Sequence, residues 1–383
     1  MKMKEVKYSK KILAFLDILG FERIVNESKS NPRLISEIAN MLFQSEQIAR
    51  SSLTAKLTVL KVDLKNYVYR SFSDTSVICG PYDSHDDLLF ISTWIMMYQY
   101  LMWKEERTFI RGAVVYGDSY SDENVIFGPA LIDAYRLERC KTKAAWPRVL
   151  IAQSVLDKTT EEERRRDFFE FLRQDDDNLV YLDYLRELFH LIALGENKRI
   201  TGERQQDFGI PAKFFKEHKE AILTQVHNSG KEENQDEGKK IIRKYVELSK
   251  YHNSTIERFH QTIKDLINNI NNNDLIPELF DDQIRSVNAK KLGLQYQPKY
   301  SAEEHPEQSD MLDILGTVVN RLVENPPPDI LETLGIVIIG QTDDGELGRV
   351  IGTLSREAPR ELSILDKALQ ESMIDIDSLG LNV

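Results

Sequence analysis

An apolar strand that ends in a carboxylate is encoded in the sequence AFLDILGF, residues Ala14–Phe21. The residues before Asp17 are apolar enough to lie inside a sheet, so the charge at the end of the strand needs a partner. Gly20 lets the backbone turn closely past a ligand, because glycine adopts conformations that other residues avoid. The segment therefore predicts a buried strand whose end carries a functional acid.

A second carboxylate follows in a short hairpin. Two strand-like segments, Asn66–Phe72 and Thr75–Cys79, flank the polar pair Ser73-Asp74, which suits a tight turn. If this hairpin lies beside the first strand, two acids stand close together and repel each other unless cations lie between them. Mg²⁺ is typically bound by one or two carboxylates plus substrate phosphates. The alternative is that Asp17 caps the following helix and Asp74 is a turn residue.

The order of elements around these strands sets the fold class. Hydrophobic periodicity predicts strand, helix, strand, strand, helix, strand, and then a further helix and strand. We therefore expect an α+β fold with a ferredoxin-like β-α-β-β-α-β core and an appended helical region. The predicted strands are Ile12–Leu16, Asn66–Phe72, Thr75–Cys79, Thr108–Gly117 and Arg148–Ala152, and the predicted helices are Asn31–Ala49, Asp86–Trp103 and Phe127–Cys140.

The character of the sequence changes near residue 160, where charged helical segments replace the strand patterns. We predict a catalytic domain over residues 1–160 and a helical region over residues 161–265. Residues 266–383 are interpreted as a linker and a small C-terminal appendix, with a stiff break at Pro326–Pro328. The role of this last segment does not follow from its sequence.

Composition limits the classes of function. The net charge of -12 argues against a broad nucleic-acid interface, because binding a phosphate backbone relies on a basic surface. The two cysteines, Cys79 and Cys140, are not spaced for a disulfide framework or a zinc site. The longest apolar stretch, Leu88–Met102, is too short and too polar to span a bilayer. We expect a cytoplasmic protein with no membrane anchor and no nucleic-acid polymer as partner.

Three blocks in order resemble the class III nucleotidyl cyclase domain. They are Asp17–Phe21 (DILGF), Ser71–Thr75 (SFSDT) and Gly128–Leu137 (GPALIDAYRL). That family carries an acid in a D-I-x-G-F block, a second acid at the tip of the next hairpin, and a G-x-x-x-N-x-A-x-R-L block on a later helix. The resemblance covers about residues 10 to 155.

The resemblance implies a set of site residues and a cofactor. Asp17 and Asp74 would bind two Mg²⁺ or Mn²⁺ ions, assisted by the backbone carbonyl of Ile18. Arg136 would stabilise negative charge on the triphosphate in the transition state, a role that suits its planar, permanently charged guanidinium. In such cyclases one chain supplies the metal ligands and the other the arginine, so the resemblance implies a homodimer with shared active sites.

Three positions depart from the family pattern. Ile132 stands where the family has an asparagine that orients the ribose, and what replaces that asparagine does not follow from the sequence. Adenylate cyclases have a base-reading lysine where this chain has Arg70, and an acid where it has Val125. The adenine pocket is therefore not present in its usual form, and Arg70 becomes a candidate substrate-binding residue.

A closer resemblance is to the bacterial pyrimidine cyclases of the Pycsar antiphage systems. It rests on the sequence around Asp17 and on four further segments: Ile110–Ala113 (IRGA), Phe127–Glu138, Trp146–Val149 (WPRV) and Tyr251–Asn253 (YHN). The resemblance implies conversion of CTP or UTP to the 3′,5′-cyclic nucleotide as an antiphage signal, which a separate effector protein reads. The sequence does not choose between CTP and UTP, and it does not say how infection is sensed.

Arg111 becomes a candidate for contacting the triphosphate or the pyrimidine, because it lies on a core strand next to the site. The alternative for Arg111 is an arginine at a strand end that reaches water.

Two other functions stay open on the sequence alone. The chain could be an adenylate or guanylate cyclase, or a cyclase-like module that binds a nucleotide without turnover. Ile132 favours the non-catalytic module, whereas the presence of Asp17, Asp74 and Arg136 together favours an enzyme.

Overall fold

The computed structural model describes residues 6–56, 62–139, 146–189, 209–230, 235–271, 282, 300, 308–324 and 344–379. These residues combine helices with one sheet, mostly antiparallel, which confirms the predicted α+β class. The chain forms two compact units. The first unit comprises Met1–Tyr184, Glu220–Lys250 and Asp375–Val383, and the second comprises Leu185–Lys219 and Tyr251–Ile374. Cys140 and Pro326–Pro328, which the sequence singled out, lie outside the described residues.

The elements are numbered in chain order. The strands are β1 (Ser9–Ile18), β2 (Val68–Phe72), β3 (Thr75–Gly80), β4 (Ile110–Ser121), β5 (Ile126–Phe127), β6 (Val149–Ile151), β7 (Leu172–Gln174) and β8 (Val180–Leu182). The α-helices are α1 (Phe21–Ser28), α2 (Arg33–Lys56), α3 (His85–Glu105), α4 (Pro129–Glu138), α5 (Gln153–Leu156), α6 (Glu161–Glu170), α7 (Tyr184–Leu188), α8 (Gly209–Ser229), α9 (Gln235–Asn271), α10 (Ser309–Glu324) and α11 (Asp344–Gln370). Among the described residues, no helix is both long and apolar enough to cross a bilayer.

The sheet lies in the first unit and has the strand order β2-β3-β1-β4-β6-β8-β7, with β5 paired to β4. β1 is antiparallel to both of its neighbours, β3 and β4, whereas β6 is parallel to β4. β7 and β8 extend the sheet past the boundary that the sequence suggested near residue 160. The region predicted to be helical after that boundary therefore also contributes two strands.

The two faces of the sheet at β1 are covered by different elements. Successive side chains of a strand point to opposite faces, and Ile12, Ala14 and Leu16 are completely buried on one of them. On this face, Tyr69 of β2 and Tyr67, just before this strand, pack against aromatic side chains of α3. On the other face, the ring of Phe15 lies edge-on to Tyr135 of α4, with ring centroids 5.7 Å apart. Asp17, two residues after Phe15, therefore shares the face that α4 covers.

Small residues bring α4 close to the sheet. A Cβ atom at Gly117 of β4 would lie 3.2 Å from the Cβ of Ala130, so glycine allows the helix to approach. Gly128 precedes the helix with φ +142°, a conformation that side chains disfavour, and Pro129 occupies the first turn, where no amide hydrogen is needed. Ala130, Ala134 and Glu138 are the buried residues of α4, at a spacing of four. This spacing fixes which face of the helix meets the sheet.

The second unit is helical around an aromatic core that includes Phe189, Phe215 and Phe259. The Tyr251–Asn253 segment ties α9 to other parts of this unit. The hydroxyl of Tyr251 accepts a hydrogen bond of 2.9 Å from the amide of Leu185. The side chain of Asn253 exchanges two hydrogen bonds, of 2.8 and 2.9 Å, with the backbone of Ile374. These residues therefore hold the unit together.

Candidate active site

A row of four side chains crosses the sheet at the end of β1. Asp17 lies directly opposite Thr75 of β3 on one side and Arg111 of β4 on the other, and Thr75 lies opposite Phe72 of β2. Directly opposite residues of an antiparallel pair point to the same face. These four side chains therefore lie on one face of the sheet. On this face α4 covers β4 and β1, and the end at β2 is open.

The β2–β3 hairpin brings the second predicted acid to Asp17. Its two loop residues are Ser73, which has a φ of 57°, and Asp74. The backbone carbonyl of Asp74 accepts a hydrogen bond of 3.1 Å from the amide of Ile18. The charge of Asp74 also acts on Asp17 and raises its pKa. The structure thus brings Asp17, Ile18 and Asp74 together.

Arg111 is the immediate neighbour of Asp17. Its Nε and Nη2 atoms donate hydrogen bonds of 2.9 and 2.7 Å to one carboxylate oxygen, Oδ2 of Asp17. The same Nε atom lies 2.8 Å from Oε1 of Glu138, the last residue of α4. Arg111, interpreted from the sequence as a substrate ligand or a strand-end arginine, is here the counter-ion of two carboxylates.

Glu138 is a site residue that the sequence reasoning missed. Its side chain is only 2% exposed, which is rare for a glutamate. The signal was available in the helix pattern, because Glu138 follows Ala130 and Ala134 at intervals of four and so falls on the buried face. A charge at such a position predicts a buried cation nearby.

Burial dominates the electrostatics of both acids. Desolvation raises the pKa of Asp17, and the hydrogen bonds and charge of Arg111 oppose that rise. Desolvation likewise raises the pKa of Glu138, again opposed by Arg111. The guanidinium of Arg111 lies between the two buried carboxylates, and that of Arg139 lies 3.9 Å from Oε2 of Glu138. With Asp74, three carboxylates face these two guanidinium groups. The site therefore has excess negative charge, which a divalent cation would offset.

Arg136 lies apart from this cluster within one chain. Its side chain is 75% exposed, and its ion-pair partner among the described residues is Asp133, 4.0 Å away on the same helix. Ile132 and Tyr135, also on α4, are exposed apolar side chains. Arg136 is thus presented on the outer surface of the helix whose inner surface carries Glu138.

Arg70 lies on β2, in the row next to that of Asp17. It is opposite Val77, which is opposite Phe15, so Arg70 shares the face of the sheet that carries Asp17. Arg70 also lies near Asp122, whose pKa is lowered by the backbone N–H of Asn124, by the hydroxyl of Tyr120, and further by the charge of Arg70. The distance between rows keeps Arg70 away from the acids.

Val125 lies in the loop between β4 and β5 and is exposed, with a hydrogen bond from its amide to the carboxylate of Asp122. Val125, one of the two positions that depart from the adenine pattern, therefore contacts Asp122, and the charge of Arg70, the other position, acts on the same carboxylate.

The donor set near Asp17 suits a metal that completes its coordination with substrate. Among the described residues, no group of three or more His, Cys, Asp or Glu side chains could hold a metal ion. Asp17, Asp74 and a backbone carbonyl of Ile18 form a smaller set of oxygen ligands. Mg²⁺ is commonly held in this way, by one or two carboxylates with waters and substrate phosphates in the other positions. These residues would therefore suit Mg²⁺ or Mn²⁺ whose remaining coordination positions are filled by other ligands.

No protein-family model matches the chain. No curated protein sequence matches it either. The resemblance to nucleotidyl cyclases therefore stays a prediction from the residues and motifs quoted above.

Proposed function

We propose that this chain is a metal-dependent nucleotidyl cyclase that converts CTP or UTP to the 3′,5′-cyclic nucleotide and pyrophosphate. The observation that carries the proposal is the meeting of Asp17, Ile18 and Asp74 at one end of the sheet, joined by the hydrogen bond from Ile18 to Asp74. Two acids held together at the open edge of a buried sheet are explained by bound divalent cations.

The topology supports a cyclase core. β1, β2, β3 and β4 are ordered β2-β3-β1-β4, each antiparallel to its neighbour, with helices between β1 and β2 and between β3 and β4. This order and these directions support the proposal of a ferredoxin-like β-α-β-β-α-β unit. The strands β6, β8 and β7 would then be additions to that unit.

The reaction is an in-line attack of the ribose 3′-oxygen on the α-phosphorus. The 3′-hydroxyl loses its proton to solvent, the new oxygen–phosphorus bond closes the ring, and the bond to pyrophosphate breaks. Mg²⁺ or Mn²⁺ supplies activation of the hydroxyl and neutralises the triphosphate when it is bound. Asp17, Asp74 and the carbonyl of Ile18 would hold the metal ions, so the enzyme mainly positions groups that already belong to one molecule.

Arg136 supports a shared active site. An exposed arginine whose ion-pair partner among the described residues lies 4.0 Å away is suited to stabilise phosphate charge at the site of another chain. Exposed apolar side chains flank it on α4, and Phe72 at the hairpin is 87% exposed. Large apolar side chains left exposed are common at protein interfaces. A homodimer in which α4 of one copy covers the β2–β3 edge of the other would bury these residues and deliver Arg136.

The substrate-binding residues favour a pyrimidine. With Arg70 in place of a lysine and Val125 in place of an acid, a purine amino group would lose its acceptor at Val125. Arg70 lies on the same face of the sheet as Asp17, on the exposed β2 strand, where a base could reach it. In a Pycsar-type system the product would be an antiphage signal, and a separate effector protein would bind it.

A non-catalytic nucleotide-binding module is the second candidate. Arg111 holds Asp17 Oδ2 with two hydrogen bonds, and Ile132 is exposed where cyclases orient the ribose. Both observations are compatible with binding in the absence of turnover.

The deciding experiment incubates the purified protein with ATP, GTP, CTP or UTP and Mn²⁺ or Mg²⁺ and identifies products by mass spectrometry. Cyclic CMP or cyclic UMP is expected. Product from ATP or GTP alone would support a purine cyclase instead, and binding with no product from any triphosphate would support the non-catalytic module.

A further inference from the structure

The single Nε–H of Arg111 has two carboxylates within hydrogen-bonding distance. Oδ2 of Asp17 is 2.9 Å from Nε, and Oε1 of Glu138 is 2.8 Å from it. One N–H bond cannot point at both oxygens with good geometry. It is directed at Asp17, and Oε1 of Glu138, a buried atom, receives no hydrogen bond among the described residues.

An unsatisfied buried carboxylate oxygen is costly, because the atom has lost its water and gained no donor. Here the missing donor is only a small movement away, since Nε already lies at hydrogen-bond distance from Glu138. Glu138 is therefore a second carboxylate in ion-pair contact with Arg111, but its Oε1 accepts no hydrogen bond among the described residues. Asp17, by contrast, has two good hydrogen bonds to a single oxygen.

We infer that Glu138 is a positioning residue that takes the guanidinium of Arg111 when a divalent cation binds Asp17. This inference rests on the proposed function, because it needs the metal that Asp17 and Asp74 would hold. The cation takes over the neutralisation of Asp17, and the freed Nε–H satisfies Oε1 of Glu138. The guanidinium stays paired, so metal binding leaves no buried cation without a counter-ion.

The charges agree with such an exchange. In the metal-free state three negative charges, those of Asp17, Glu138 and Asp74, face two guanidinium groups. Arg111 lies between Asp17 and Glu138, and the more exposed Arg139 lies 3.9 Å from Oε2 of Glu138. A cation at Asp17 would offset the remaining negative charge and leave Arg111 paired with Glu138. Without the charge of Glu138, Arg111 would be held only by Asp17 and would compete directly with the metal.

The test measures Mn²⁺ binding to the purified full-length protein by the loss of the electron paramagnetic resonance signal of free Mn²⁺. We expect Glu138→Gln to raise the Kd for Mn²⁺ about tenfold or more, the effect of one hydrogen bond to a charged group. Arg111→Gln should instead lower that Kd, because the competing cation is gone. In the Arg111→Gln background, adding Glu138→Gln should have little further effect.

The matched control is Asp118→Asn, which removes the same charge from an exposed β4 position paired with Lys10. It should leave the Kd unchanged. Circular dichroism and the unfolding midpoint identify variants that merely fail to fold, and the comparison of wild type with Arg111→Gln does not depend on Glu138→Gln folding.

A Kd unchanged in folded Glu138→Gln, a Kd not lowered by Arg111→Gln, or an equal effect of Glu138→Gln with and without Arg111 would overturn the inference. Wild-type protein whose Mn²⁺ binding does not depend on Asp74 would overturn the proposed metal site as well.

Discussion

The amide of Ile18 donates a hydrogen bond of 3.1 Å to the backbone carbonyl of Asp74. This bond joins the end of β1 to the tip of the β2–β3 hairpin, so the residue after Asp17 fixes the position of the second acid. Because the link is made by backbone atoms, side-chain substitutions at Asp74 should leave the local structure in place. The acids can therefore be tested without dismantling the strands that carry them.

Replacing Asp74 with Ala should abolish cyclisation. A metal ligand contributes more than the residues that support it, whose loss already costs about 10- to 100-fold, so a decrease of at least about 100-fold in kcat is expected. Dimerisation, measured by light scattering, should be unchanged. The control Asp118→Asn should keep wild-type kcat, and an Asp74→Ala protein with substantial activity would refute the metal assignment.

Mixing two inactive variants tests the shared site. In a dimer whose sites each combine Asp74 of one chain with Arg136 of the other, a mixed pair of Asp74→Ala and Arg136→Ala chains has one intact site. Random assortment should then restore about a quarter of the wild-type activity per chain. Each variant alone should be inactive. No recovery in a confirmed mixed dimer would mean that Arg136 acts within its own chain.

Ser73 is held at a φ of 57°, a left-handed conformation that glycine adopts more readily than serine. We expect Ser73→Gly to raise the free energy of unfolding by up to about 1 kcal/mol, because it removes this strain. The matched control is Ser71→Gly in β2, which should be destabilising, since glycine weakens a strand. Denaturant unfolding followed by circular dichroism compares them. Destabilisation by Ser73→Gly equal to that of Ser71→Gly would contradict the prediction.

A buried histidine pair should make the second unit sensitive to acid. Nδ1 of His218 lies 2.9 Å from Nδ1 of His252, whose Nε2 is 3.0 Å from the carbonyl of Ser372. A carbonyl only accepts, so His252 donates through Nε2, and its Nδ1 accepts from His218. Burial lowers the pKa of His218, and burial lowers that of His252 to about 4, partly opposed by its bond to Ser372.

The sign of the pH dependence follows from these lowered pKa values. Between the ordinary histidine pKa of 6.5 and about 4, the unfolded chain binds a proton at His252 that the folded chain does not. Stability should therefore be complete above pH 6.5 and fall as the pH drops toward 4, by about 3 kcal/mol for His252.

The measurement is the free energy of unfolding of wild type and His252→Gln from pH 7 to 4, in which glutamine keeps a donor for Ser372. The variant should lose less stability on acidification. Equal losses would show that the pair does not titrate on unfolding.

The pattern of the first strands predicted a strand that ends at Asp17 and a hairpin with Asp74 at its turn. The apolar run before Asp17 and the polar pair at Ser73-Asp74 each fix a local structure, and the hairpin lies next to β1 as expected. The fold class followed from the same periodicity. In contrast, β7 and β8 have only three residues each, too few for an alternating pattern to stand out among charged segments.

The partners of Arg111 could not be predicted with the same tools. A lone arginine on a strand can pair with any of several carboxylates or reach water. The carboxylate that Arg111 contacts depends on the packing of α4 on β4 rather than on the local sequence. That packing follows from Gly117 and Ala130, whose close approach sets the position of Glu138 at the end of the helix. The charges around Arg111 are therefore set by which residues the tertiary fold brings together, not by their spacing along the chain.

The most direct measurement follows the conversion of CTP and UTP by wild-type protein with Mn²⁺, with the cyclic nucleotide and pyrophosphate quantified in the same reaction. Asp74→Ala and Asp118→Asn are run in parallel. We predict that wild type and Asp118→Asn each form 3′,5′-cyclic pyrimidine nucleotide and pyrophosphate in equal amounts. Asp74→Ala should form neither product. A folded, dimeric wild-type protein that forms no cyclic nucleotide from either substrate would contradict the proposed pyrimidine cyclase.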